Sequence, residues 1–275
     1  MTSLARLLII PLMLLVCNNT YAQEFQGEAT YKSHRKVDLK MGEDEMSSDM
    51  KKSIAEQLKQ QFQQTYTLKF TKNESFYKKE EKLSKPNPMA GGIKIEISDG
   101  TDLLYKNIKE NRYAIETEIY GKAFLIKDTI ENLKWELGSE TKNIGEYTCY
   151  KATYKDSITT RTINSEGGFE TIKKEQVTIA WYTPQIPTAN GPSNFGGLPG
   201  LILEINDGDL TLICSKIVMN PKEHFTIKEP KKGKEVSQKE FDEIQEKKSE
   251  EMMERFRSNR SKDGNSKTFI ISSGG

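Results

Sequence analysis

Four glycines and two prolines fall within ten residues, Gly191-Pro192-Ser193-Asn194-Phe195-Gly196-Gly197-Leu198-Pro199-Gly200, and the chain then runs directly into the apolar stretch Leu201-Ile202-Leu203-Glu204-Ile205. Glycine reaches backbone angles closed to other residues, and proline fixes its own φ. The run therefore reads as a tight, specified bend with Leu198 held between chain punctuators. The apolar stretch Leu201–Ile205 has the length and composition of a mostly buried strand. Asn206-Asp207-Gly208-Asp209 is a hairpin signal, and Leu210–Val218 returns as the partner strand. Such a bend serves as a rigid corner feeding a core hairpin, or it presents a docking surface. It is not a phosphate loop: no Lys-Ser/Thr comes after the glycines, and a strand stands where a helix is required.

The same residues carry a resemblance. Gly197-Leu198-Pro199-Gly200-Leu201-Ile202 spells the signature of the GLPGLI family of secreted bacterial proteins. The likeness extends upstream to Ala180–Pro187, Gly191-Pro192 and Tyr147–Ala152. It implies an envelope protein of a Gram-negative bacterium, and it brings no catalytic residues with it.

Met1–Ala22 reads as an export signal. Arg6 supplies the positive start, Leu7–Val16 the apolar run, and Thr20-Tyr21-Ala22 the small residues that a signal peptidase reads. Lipidation at Cys17 is the alternative, but Val16 stands where a small residue is expected before a lipidated cysteine. The expected localisation is periplasmic or extracellular. Removal of residues 1–22 leaves 40 basic and 40 acidic side chains. A neutral chain lacks the basic footprint that nucleic acid demands. No later segment is apolar and long enough to span a membrane.

The expected fold is mainly β, of α+β type: an antiparallel curved sheet or half-barrel-like meander with an N-terminal helix and a charged C-terminal helix. Short alternating segments at regular spacing carry that reading: Gln26–Arg35, Tyr66–Phe70, Ser75–Lys79, Ile93–Ile97, Asp102–Asn107, Arg112–Ile119 and Lys122–Asp128. Leu133–Leu137, Tyr147–Tyr154, Ile158–Ile163, Phe169–Lys174 and Val177–Tyr182 continue it. Met46, Met50, Ile54, Leu58 and Phe62 recur every four residues, which predicts an amphipathic helix. Residues 23–228 form the predicted β-rich domain. Residues 229–275 read as a charged linker, a helix opened by the capping box Ser237-Gln238-Lys239-Glu240, and a loose tail; truncation after Lys228 is expected to spare the sheet.

Trp181 and Tyr182 are adjacent in a strand and so point to opposite faces. With Phe195 and Leu198 they are the candidate binding residues; Gly191, Pro192, Gly196, Gly197, Pro199 and Gly200 are the structural signature. Cys149 and Cys214 remain after export and either bridge in an oxidising compartment or stay as buried thiols. His34 and His224 stand at no metal or catalytic spacing to one another or to the cysteines, and Gly-x-Ser-x-Gly is absent. No cofactor or metal is expected. The chain reads as a non-catalytic binding or carrier module for a small apolar ligand or an envelope protein. Two alternatives stand beside it: docking on an outer-membrane transporter through the Gly/Pro segment, and an enzyme of unknown chemistry.

Overall fold

The computed structural model describes residues 25–36, 63–80, 103–119, 121–163 and 169–260. The expected export signal with Cys17, the helix of Met46–Phe62, the strand Ile93–Ile97 and the tail beyond residue 260 lie outside the described residues.

Twelve strands form one sheet. The first six are β1 (Gln26–Arg35), β2 (Thr65–Thr71), β3 (Glu74–Lys79), β4 (Leu103–Asn107), β5 (Arg112–Ile119) and β6 (Lys122–Thr129). After them come β7 (Glu136–Ile144), β8 (Tyr147–Ile163), β9 (Phe169–Thr183), β10 (Leu201–Asp207), β11 (Leu210–Met219) and β12 (Lys234–Val236). One helix, α1 (Gln238–Arg260), closes the described chain. The strand order is β12-β6-β5-β4-β3-β2-β1-β11-β10-β9-β8-β7. Two antiparallel meanders, β2 to β6 and β7 to β11, are thus joined along the first strand, because β1 pairs with both β2 and β11. Among the described strands the one parallel pairing is β12 on β6, which makes the sheet mixed where the sequence suggests a purely antiparallel one.

Alternation along the strands builds the core. Ala29 and Tyr31 on β1, Leu68 and Phe70 on β2, Tyr77 on β3 and Leu104 on β4 are buried on one face. Ile115, Phe124 and Ile126 extend that cluster, and Val236 and Phe241 complete it from the C-terminal segment. The segment that reads as a charged linker is therefore in part an edge strand whose Val236 enters the core. Lys234 and Glu235 are exposed and Val236 is buried, so composition hides a three-residue strand. A second cluster gathers Ala152, Ala180, Tyr182, Leu198, Ile202, Ile205 and Leu212.

β7, β8 and β9 differ from the sequence reading; β9 merges the predicted strands Phe169–Lys174 and Val177–Tyr182 into one of 15 residues. β7 begins at Glu136, so Leu133–Trp135 lie before it, and it runs through Glu136–Ile144, most of which is exposed. It has no buried alternation, and it is an end strand of the described sheet, paired with β8. The predicted strands 147–154 and 158–163 are one 17-residue strand, β8, paired with β9 as far as Ile163 and Phe169.

Candidate docking face around residues 184–204

The Gly/Pro segment connects neighbouring strands β9 and β10 but does not make a simple hairpin. Its two legs are zipped together. Gly197 N–H donates to Ala189 O at 3.0 Å, Leu201 N–H to Ile186 O at 3.0 Å, and Ile202 N–H to Asn190 O at 3.0 Å. Close approach explains two of the glycines. A Cβ on Gly200 would stand 2.2 Å from Thr183 O, and one on Gly191 would stand 2.9 Å from the Ile202 side chain. Gly197 has open space around it but holds φ at +81°, a left-handed angle. Between them Leu198 turns inward and is 1% exposed, against Tyr182 and Ile202.

A bulge sets the direction of the strand beyond the bend. The β10–β9 register passes from Ile202↔Tyr182 to Glu204↔Trp181, so one strand holds an extra residue at Leu203. Ile202 and Ile205, three apart, then share the face of Tyr182 and Ala180. Leu201 and Leu203 join the larger core cluster.

The loop also lays polar groups into the interior. Asn190 and Ser75 are wholly buried, and Ser75 Oγ–H donates to Asn190 Oδ1 at 2.8 Å. Asn190 Nδ2–H donates to Thr188 Oγ1 at 3.1 Å, and Thr188 Oγ1–H donates to Thr71 O at 3.3 Å. Each side chain in this run has a partner, which is the condition for burying it without a large penalty. Beside it, Lys106 of β4 sends its ammonium to three loop carbonyls: Gly191 O at 3.2 Å, Ser193 O at 2.9 Å and Phe195 O at 2.9 Å. Burial taken by itself pushes Lys106 down to about 7, and the three carbonyls oppose that push by favouring the charged form. No motif singles out Lys106 in the sequence. Its only local signal is a lysine in phase with the inward-pointing Leu104.

Trp181 and Tyr182 take opposite faces, as strand geometry requires. Tyr182 is buried beside Tyr150, ring centroids 6.1 Å apart. Trp181 is half-buried under Lys142, whose Nζ lies 4.4 Å from the indole centroid and 2.8 Å from Glu204 Oε2. Trp135 is a second residue that no motif announces. Its Nε1–H donates to Gly196 O at 2.9 Å, and its ring lies 5.8 Å from that of Tyr154. Directly opposed residues share a face. The register Leu137↔Ala152↔Ala180 and Tyr150↔Tyr182↔Ile202 therefore puts Leu137 and Tyr150 on the side of the Leu198 cluster. Leu137 is 61% exposed and Tyr150 39% exposed. Of the four candidate binding residues, Tyr182 and Leu198 are core, while Trp181 and Phe195 are half-buried; on the face of the Leu198 cluster the large apolar groups open to solvent among the described residues are Leu137 and Tyr150, and the exposed Val177 and Ile213 are on the other face.

The cysteines do not bridge. Both are free and buried within the same cluster. The Cys149 thiol donates to Tyr147 O at 3.7 Å and the Cys214 thiol to Lys216 O at 3.4 Å. Burial pushes them up to about 11 and about 12, which makes them poor nucleophiles at neutral pH. Among the described residues no three His, Cys, Asp or Glu side chains gather as metal ligands, and no helix is long and apolar enough to cross a membrane.

Residues 135–204 match the model of a family described as a protein of unknown function, Porph_ging. The match begins at Trp135 and ends at Glu204, so it spans the loop and the strands β7 to β9 beside it. No curated protein matches the chain. Two solved structures of PNGF-II, in C2 and P21 space groups, are similar to 80% of this chain, at 14% and 16% identity with TM-scores of 0.48 and 0.46. The chain covers 32% and 33% of the PNGF-II chain in the two structures, about a third of its length.

Proposed function

We propose that the protein is an exported envelope module of GLPGLI type that binds a protein partner and catalyses nothing. Its contact surface is the β7–β9 edge with the adjoining loop. The observation that carries this is the exposure of Leu137 and Tyr150 on the face where Tyr182, Ala152 and Leu198 are buried. An apolar group on the core side of a strand is ordinarily covered. Aromatic and aliphatic anchors left open beside a rigid loop are the usual centre of a protein contact. The matched family segment runs over these same residues. The expected export signal at Met1–Ala22 and the Gly197–Ile202 hexapeptide support the envelope as the setting, where an outer-membrane transporter is a fitting partner. The carrier reading has less support, because Ile186, Leu198 and Leu201–Leu203 fill the described core where an apolar ligand would lie.

A photo-reactive residue in place of Tyr150, in the bacterium that makes the protein, tests this reading. A discrete protein adduct is expected from position 150 and not from exposed Lys72 on the β2–β3 turn. Leu137→Asp is expected to abolish it. An adduct indifferent to Leu137→Asp, or the same products from both positions, would overturn the proposal.

A further inference from the structure

Lys106 is 4% exposed and belongs to no ion pair among the described residues. A neutral amine has two N–H donors and a lone pair; an ammonium has three donors and no acceptor. Lys106 faces three carbonyl oxygens, from Gly191, Ser193 and Phe195, within 3.2 Å. A neutral amine would leave one of them unsatisfied and aim its lone pair at it. The loop supplies these carbonyls from alternate residues by an unusual backbone: Ser193 holds φ at +51°, and Phe195 N–H donates to Pro192 O at 3.2 Å. The tip thus wraps three carbonyl dipoles around one point, and the point is filled by a charge from a strand 85 residues or more away in sequence.

We infer that Lys106 is a cation latch: its ammonium, kept protonated by the carbonyls of Gly191, Ser193 and Phe195, pins the tip of the 184–200 loop against β4. The docked position of the loop depends on that charge. Lys106 is buried against the loop backbone, so it is a positioning residue. The latch stands whether or not the surface outside it binds a protein. No titratable side chain lies between Gly191 and Gly196. On the flanking strands, the titratable neighbours are Tyr113, opposite Lys106 on β5, and Tyr77, two residues beyond Ser75 on β3. Burial pushes both phenols upward, so neither changes charge around neutral pH.

Opening the loop returns Lys106 to water and its ordinary value of 10.5. If burial alone governed the closed state, the open state would bind more protons between pH 7 and 10. Closure would then strengthen as pH rises, by up to about tenfold per pH unit. With the proton held by the carbonyls, closure is level across that window. Hydrogen exchange at the amides of Gly197, Leu201 and Ile202, corrected for the intrinsic rate, reads this directly in the wild-type protein. A level opening constant is expected, and a steady rise in protection with pH would overturn the latch. Nitrogen-15 spectra of the Lys106 side chain give a second reading: a three-proton ammonium is expected at pH 9, and a two-proton amine at pH 8 would overturn it. Lys106→Met, which keeps the length and removes the charge, is expected to reduce protection of the three loop amides at least about a hundredfold. Unchanged protection would equally refute the proposal, and should the variant not fold, the two wild-type measurements still decide.

Discussion

Gly197 and Gly200 sit three residues apart in one bend and are glycine for different reasons. At Gly197 the cause is conformational: φ is +81°, and a Cβ added there would meet nothing within 4 Å. At Gly200 contact is added to conformation: φ is +157°, and the backbone of Thr183 and Pro184 occupies the place of a Cβ. A left-handed angle costs an alanine about 1 kcal/mol. A clash with backbone cannot be relieved by turning a side chain, so Gly200→Ala is expected to cost about 3 kcal/mol or to prevent folding. Urea denaturation of the two alanine variants checks the order: equal losses, or a larger loss at Gly197, would contradict the assignment. The need for glycine at both positions is legible from the sequence; which physical reason applies at each is not. Trp135 and Lys106 are illegible for a related cause. Their partners are carbonyl oxygens, which every residue carries, so no pairing of residue types announces them.

At the scale of elements, the capping box is legible in four letters. Glu240 Oε2 accepts from Ser237 N–H at 2.8 Å, and Ser237 Oγ accepts from Glu240 N–H at 3.3 Å. Hydrogen bonds from the Ser237 backbone N–H and its hydroxyl hold the Glu240 carboxyl below its usual range. What the helix does is not legible. Phe241 is 6% exposed and meets Phe124 edge to face, centroids 5.7 Å apart, while Tyr113 Oη–H donates to Gln238 Oε1 at 3.0 Å. The expectation that truncation after Lys228 spares the sheet is therefore replaced. Loss of Val236 and Phe241 opens the core over β6, and Phe241→Ala alone is expected to cost about 3 kcal/mol. Truncation after Lys248 keeps both residues and is expected to change stability by less than about 1 kcal/mol. Thermal melts of the two truncations separate these outcomes; equal melting would show that α1 is not part of the core.

For the whole molecule, the decisive element is β1. It is the only described strand through which the β2–β6 meander meets the β7–β11 meander, pairing Gly27 with both Phe70 and Met219. Contacts of such sequence separation form late and carry a large loop-closure cost. Removal of the chain through Arg35 leaves β2 and β11 as two bare edges with half a core each. That protein is expected to show no cooperative melt by circular dichroism and to self-associate. A single sharp transition in the truncated chain would mean that one meander folds by itself.

Residues 206–209 show what the sequence alone settled. The hairpin there arises from its own side chains, with Gly208 at φ +59°, because turn geometry is decided within four residues. Alternation likewise marks most strands, because it records burial one residue at a time. Tertiary structure decided the rest: the central place of β1, the single-sheet order, the free thiols and the three carbonyls around Lys106. These depend on which distant segments share a ladder, and backbone hydrogen bonds look the same from every strand until the chain has closed.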